Sequence, residues 1–164
     1  MSVEQRRFLE KRYDASKWRG RAGQGRRVLE DISLDRLEIR GWTLVRSQRA
    51  EHADTTTIRS LWRRGESTSE LLAVDVFECA SVKAAHTQLI DALGNMQSGA
   101  VERLTDKNAP GDVAFGLDDT MVLFARVNVV VLVRNAGPTV VPVGAVARRI
   151  DALLERWPKS EKSR

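Results

Sequence analysis

Cysteine is nearly absent from this chain of 164 residues, which contains Cys79 alone. A single cysteine excludes an intramolecular disulfide and any zinc site built from several cysteines. Histidine is scarce too, since His52 and His86 are the only two. The sequence has neither a Gly-Lys-Ser/Thr phosphate loop nor a Gly-x-Gly-x-x-Gly fingerprint that leads into a helix. We therefore expect no bound cofactor and no metal.

Long apolar runs are also missing. The run VVVLV at 129–133 has only five residues, whereas a helix that crosses a bilayer needs about 20. The opening stretch, MSVEQRRFLEKRY, lacks the apolar centre of a secretory signal. The hydrophobic fraction is 42% and the charged fraction is 30%, as in soluble globular proteins. These features predict a cytoplasmic protein without membrane contact.

Positive charge is concentrated at the N-terminus. Residues 1–27 contain nine lysines and arginines against three acidic residues, a net charge of +6. The remaining residues hold 18 basic and 19 acidic side chains, so the rest of the chain is nearly neutral. An excess of one charge in one segment is typical of a segment that contacts a polyanion or stays solvated.

The segment KWRGRAGQGRR at 17–27 carries five of these basic residues and no acidic one. Arginines separated by glycines suit a mobile arm that follows a phosphate backbone, with Trp18 stacked on a base. The alternative is a flexible linker whose charges keep it solvated. The candidate polyanion-binding residues, for nucleic acid among others, are Lys17, Trp18, Arg19, Arg21, Arg26 and Arg27.

Hydrophobic periodicity predicts the secondary structure. A capping box of Ser2 and Gln5 predicts a short helix over 3–13. Alternating or continuous apolar segments predict strands at 36–47, 55–64, 70–79, 112–117, 120–127 and 128–135, with a further short strand at 101–104. Helical spacing predicts helices over 82–93 and 141–157, the second with Asp151 on its solvent side.

This order predicts an α+β fold. We expect an antiparallel sheet of about six strands in two meander–helix units, with both helices packed on one face. The basic N-terminal helix and linker occupy 1–30, a single α+β domain occupies 31–158, and 159–164 form a polar tail. Strands 120–135 are apolar at nearly every position, although an antiparallel sheet with one wet face should alternate. Their far face therefore needs a cover, either the N-terminal helix or a second copy of the chain.

Few residues suggest catalysis. Cys79 and His86 are a conceivable nucleophile and base, but no third orienting group follows at a recognisable spacing, so a small apolar filler and a half-buried histidine fit better. His52, beside Glu51 and Asp54, could help to bind a metal, but no other ligand is near in the sequence, so a loop residue fits better. Asp75 interrupts an apolar strand face, and we expect it to pair with Arg59 or Arg63 across the sheet. The acidic residues of 112–119 are most simply turn residues.

The leading functional hypothesis is a non-catalytic protein-interaction domain that binds itself as a homodimer or binds another protein. Its basis is the sheet with two apolar faces and the lack of a catalytic constellation. The first alternative is polyanion binding through the arginine-rich N-terminal segment. The second alternative is an enzyme whose site is not recognisable, with Cys79, His86 or Asp75 in a polar pocket.

Overall fold

The elements of the chain are defined in a computed structural model that describes residues 1–19 and 39–156. In these ranges three helices form, α1 (Val3–Arg12), α2 (Val82–Met96) and α3 (Gly144–Arg156), with a 3-10 turn at Ala15–Lys17. The strands are β1 (Trp42–His52), β2 (Thr55–Arg64), β3 (Leu71–Cys79), β4 (Glu102–Leu104), β5 (Val113–Leu117), β6 (Met121–Arg126) and β7 (Val129–Asn135). The α+β class is confirmed, with seven strands where about six were predicted.

All strands belong to one antiparallel sheet in the order β1-β2-β3-β7-β6-β5-β4. Two meanders, β1 to β3 and β4 to β7, are each followed by a helix, and they join where β3 pairs with β7. Val76 lies opposite Val131 in this central pair. A β-bulge between Leu44 and Arg46 shifts the register of the edge strand β1.

Serine side chains cap the starts of α1 and α2, and the capping box predicted for α1 is confirmed. Ser2 Oγ accepts the backbone N–H of Gln5, and Gln5 Oε1 accepts the backbone N–H of Ser2. Ser81 Oγ accepts the N–H of Ala84 at the start of α2. This helix continues past its predicted end at 93 to Met96, and Gly94 is a packing position inside it, where an added Cβ would lie 2.6 Å from Met1 Sδ and 3.2 Å from Leu9 Cδ1.

The two main helices lie on opposite faces of the sheet, so the predicted placement of both on one face is wrong. On one face Phe124 and Val131 pack in a core cluster with α3. On the other face Leu123 and Val130 pack in a cluster with α2. The reason is that β6 and β7 are apolar on both sides, and each apolar side needs a cover of its own.

The predicted second cover of strands 120–135 is confirmed, and this chain supplies it. The N-terminal segment 1–19, which we name the leader, packs beside α2 over β5. The rings of Tyr13 and Trp18 contact the ring of Phe115 at centroid distances of 5.0 and 5.4 Å. Tyr13 Oη also donates a hydrogen bond to the carbonyl of Val101. Within the described residues, α2 and the leader therefore cover Leu123 and Val130, whereas Leu132 stays half-buried.

Among residues 1–19 and 39–156, the other half of the sheet, β1 to β3, is covered on one face only. On the α3 side, Trp62 and Val74 belong to the core. On the α2 side, Arg59 is exposed and Leu61 and Phe77 are half-buried. The predicted domain boundaries at 30 and 158 lie outside the described residues.

Candidate functional site

The environments of Cys79 and His86 do not favour a nucleophile and base. Cys79 lies at the buried end of β3, where it is 1% exposed. Burial, reinforced by the charge of Glu78, raises the pKa of its thiol to about 11, so the thiolate is scarce at neutral pH. His86 packs edge-on against Trp18, with ring centroids 5.6 Å apart. Burial lowers the pKa of His86, and the nearby charge of Asp112 opposes this shift.

The remaining acidic and histidine candidates have structural positions. His52 is exposed at the end of β1. Asp119 Oδ1 accepts the N–H of Gly144 at the start of α3, and Asp118 occupies the β5–β6 turn with a φ of 46°. Within residues 1–19 and 39–156, no three His, Cys, Asp or Glu side chains are grouped to hold a metal ion.

A buried charge network joins β6, α3 and the start of β5. The guanidinium of Arg126, 3% exposed, donates from Nε and Nη2 to both carboxylate oxygens of Asp151 at 2.7 Å. It also donates from Nη1 to Asp112 at 3.2 Å. Burial alone would lower the pKa of Arg126, but the hydrogen bonds and charges of these carboxylates outweigh burial and raise it. The prediction that Asp151 faces solvent was wrong. Helical spacing within α3 could not show that Arg126 of β6 lies beside Asp151.

This network connects separate elements of the fold. Asp112 Oδ2 also accepts the backbone N–H of Val127, whose φ of 55° places a β-branched residue in the left-handed region. The carboxylate thus holds both the guanidinium and the tight β6–β7 turn. Buried charges paired in this way leave their hydrogen-bonding groups occupied, so we assign the network to folding and not to chemistry.

The predicted polyanion-binding residues have different environments. Lys17 and Arg19 are exposed, and Lys17 pairs with Asp14 at 3.3 Å. Trp18 is 6% exposed, and its Nε1 donates to the carbonyl of Tyr13. Its predicted stacking on a base does not fit this arrangement, because the indole lies inside the core.

The other three candidates, Arg21, Arg26 and Arg27, lie outside the described residues. Of the predicted polyanion-binding set, Lys17 and Arg19 are therefore the two residues that the structure places at the surface.

The fold adds basic residues that the sequence analysis did not select. A groove of about 540 Å³ runs between the leader and α2. Arg7 and Lys11, one turn apart on α1, line it from one side, and Lys83 and His86 of α2 line it from the other. Glu10 is its one acidic lining residue within the described part of the chain. Lys17 and Arg19 do not line the groove, but they are the chain neighbours of Trp18, which does. We name the exposed residues Arg7, Lys11, Lys17, Arg19 and Lys83 the basic surface.

A second cavity, the sheet cleft, lies beside α2 and spans both halves of the sheet, with lining residues from β2 and β3 and from β5 to β7; its volume is about 410 Å³. Arg59 and Arg134 line it together with three uncharged polar residues, Gln88, Asn95 and Ser98, and the rest of the lining is apolar. These apolar residues include Phe77, Met96, Leu117, Met121 and Leu132.

Asp75 does not line the sheet cleft itself, but it lies next to the two arginines that do. It is opposite Arg59 in the β2–β3 register, and Arg134 Nη2 is 3.8 Å from its Oδ2. Arg63, the other predicted partner, pairs with Glu66 instead. Burial raises the pKa of Asp75, while the charges of Arg134 and Arg59 oppose that shift. An acidic residue in an apolar strand face was the sequence signal for this site. The sequence did not predict Arg134 as a partner of Asp75, because Arg134 lies on the distant strand β7.

Comparison of the chain with protein-family models, curated proteins and solved structures gives no match. In the described ranges no helix has both the length and the apolar character needed to cross a membrane.

Proposed function

We propose that this chain is a non-catalytic binding domain that binds an anionic macromolecule, such as a nucleic acid, through the basic surface. The observation that carries the proposal is the convergence of cations from two parts of the chain. Arg7 and Lys11 come from the leader, and Lys83 comes from α2, at the opposite side of one groove. The partner class follows from charge, because anions are attracted to such a cluster.

The local balance of charge supports this proposal. Lys17 is the member of the basic surface that forms an ion pair, with Asp14. Among the described residues, no carboxylate lies within ion-pair distance of Arg7, Lys11 or Lys83. By contrast, Arg6 on the same helix pairs with Asp91 of α2 at 2.7 Å. Arg6 thus fastens the leader to the body, while its neighbours stay available to a ligand.

The experiment is a charge reversal with a matched control. Fluorescence anisotropy would measure the affinity of the full chain for labelled single-stranded DNA, duplex DNA and RNA, with heparin as competitor. Arg7→Glu with Lys11→Glu should weaken binding about tenfold or more, because two phosphate contacts become repulsive. Arg148→Glu with Arg149→Glu makes the same change of net charge on the exposed side of α3 and should have a much smaller effect.

Two results would contradict the proposal. The first is no binding to any of these polyanions at low ionic strength, where electrostatic attraction is strongest. The second is an equal loss of affinity in both double variants, because this would mean that only net charge matters.

Self-association is the second candidate function, and the edge strand favours it. β1 is eleven residues long, lies at the edge of the sheet and is exposed along most of its length. Such a strand is a template for pairing with another chain. Val45 lies at its bulge and is 50% exposed.

Sedimentation velocity over a wide concentration range tests this candidate. A dimer that dissociates on dilution, and that Val45→Pro weakens, would support pairing through β1, since proline removes a backbone donor. A monomer at all concentrations would contradict it.

A further inference from the structure

The sheet cleft has a composition that neither the charge network nor the basic surface explains. Its lining is mostly apolar, and two guanidinium groups stand at its rim. A concave apolar site with a small number of polar groups is the usual form of a small-ligand pocket, and its volume of about 410 Å³ is within the ordinary range for such pockets.

The two arginines are not neutralised by the cleft itself. Arg134 is 3.8 Å from Asp75, which is longer than the 2.7–2.9 Å typical of a charge-assisted hydrogen bond. The side chain of Arg134 is 52% exposed, whereas that of Asp75 is 12% exposed beneath it. Arg59 and Arg134 therefore share the one buried carboxylate of Asp75. The guanidinium of Arg134 faces solvent and has further N–H groups that could bind a ligand.

We propose that the sheet cleft binds a small amphipathic carboxylate, an aliphatic acid whose chain lies on the apolar lining and whose head is held by Arg134 and Arg59. The charge at the rim selects an anion, and the planar fork of arginine matches a carboxylate. Met96 and Met121 line the apolar part, and unbranched methionines adapt to ligands of different shape. This inference is independent of the basic surface.

Three probes separate the contributions of the head and of the chain. Octanoate has both parts, octanol has the same chain with a neutral head, and acetate has the head alone. Nuclear magnetic resonance titration of the full chain, below the concentration at which octanoate forms micelles, gives both the affinity and the location. We expect octanoate to shift the backbone signals around Phe77 and Leu132, octanol to bind about tenfold more weakly, and acetate to bind negligibly.

Variants test the role of the guanidinium. Arg134→Gln should weaken octanoate binding about tenfold, the loss expected for one charged hydrogen bond. Because Arg134 is exposed, this variant should fold normally, and its unligated spectrum would show whether it does. Arg148→Gln on the opposite face should have no effect. The Arg7→Glu and Lys11→Glu variant should also bind octanoate normally, which separates this site from the basic surface.

The inference is overturned if octanoate does not bind, if octanol binds equally well, or if Arg134→Gln leaves the affinity unchanged. It is also overturned if an acidic peptide with apolar residues shifts the same signals while octanoate does not. That last result would identify the cleft as a docking surface for a protein.

Discussion

Replacing Trp18 with alanine removes the side chain that fastens the end of the leader to the body. The indole is 6% exposed, contacts the rings of His86 and Phe115 and donates to the carbonyl of Tyr13. A buried aromatic side chain removes about 150–250 Å² from water. At about 25 cal/mol per Å², this burial contributes about 4–6 kcal/mol. Allowing for a partly collapsed unfolded chain lowers the expected loss to about 3–5 kcal/mol.

Urea denaturation followed by circular dichroism measures this loss. For a slope near 2 kcal/mol per molar, the midpoint should fall by about 2 M. Phe8→Ala is the matched control, because Phe8 lies on the same leader but is 62% exposed. Its effect should be within about 0.5 kcal/mol, as for most surface substitutions.

A Trp18→Ala variant with an unchanged midpoint would refute the reasoning. It would mean that the leader is not docked on β5 and α2 in solution. A loss in Phe8→Ala as large as that in Trp18→Ala would also contradict it, because the docking would then use a different face of the leader.

Three further predictions concern buried groups. Arg126→Met should destabilise the protein by about 3–5 kcal/mol in chemical denaturation, since it removes the guanidinium from the buried carboxylate of Asp151, whereas the exposed Arg148→Met should cost little. The pKa of His86 is lowered in the folded state. As the pH drops through the ordinary value of 6.5, the unfolded chain therefore binds a proton before the folded chain does, and the free energy of unfolding should decrease. The His86→Gln variant should show a flatter stability–pH curve in this range. With a pKa of about 11, Cys79 should resist iodoacetamide at pH 8 until the protein is unfolded, and rapid labelling of the native chain would contradict its burial.

Much of the fold was predictable because its local signals agree with its tertiary structure. The strands at 55–64 and 70–79 have almost the predicted bounds, since β-branched and apolar residues there end at clear turn residues. The continuous apolar character of 120–135 correctly predicted a sheet covered on both faces. Local pattern could not assign the covers, because Leu123 and Phe124 are equally apolar although they face different helices.

Long-range pairs account for what the sequence analysis missed. Arg126 and Asp151 are 25 residues apart in the sequence. From local pattern alone, Arg126 is the end of a strand and Asp151 is a solvent-facing position of a helix. Arg134 reaches Asp75 only because β7 returns to pair with β3. The basic pattern of 17–27 does not separate Trp18 from its neighbours, although Trp18 belongs to the core while Lys17 and Arg19 are exposed. Composition identified the basic segment, but only the docking of α1 on α2 brought Lys83 to it.

The most direct test of the account is the salt dependence of nucleic-acid affinity in the Lys83→Ala variant. If the leader and α2 form one basic surface, Lys83 contacts the same phosphates as the leader, and its removal should lower the slope of log affinity against log salt by about one. Lys107→Ala, at an exposed lysine of the loop before β5, should leave the slope unchanged. An unchanged slope in Lys83→Ala, with polyanion binding intact, would contradict the claim that the body of the fold takes part in binding.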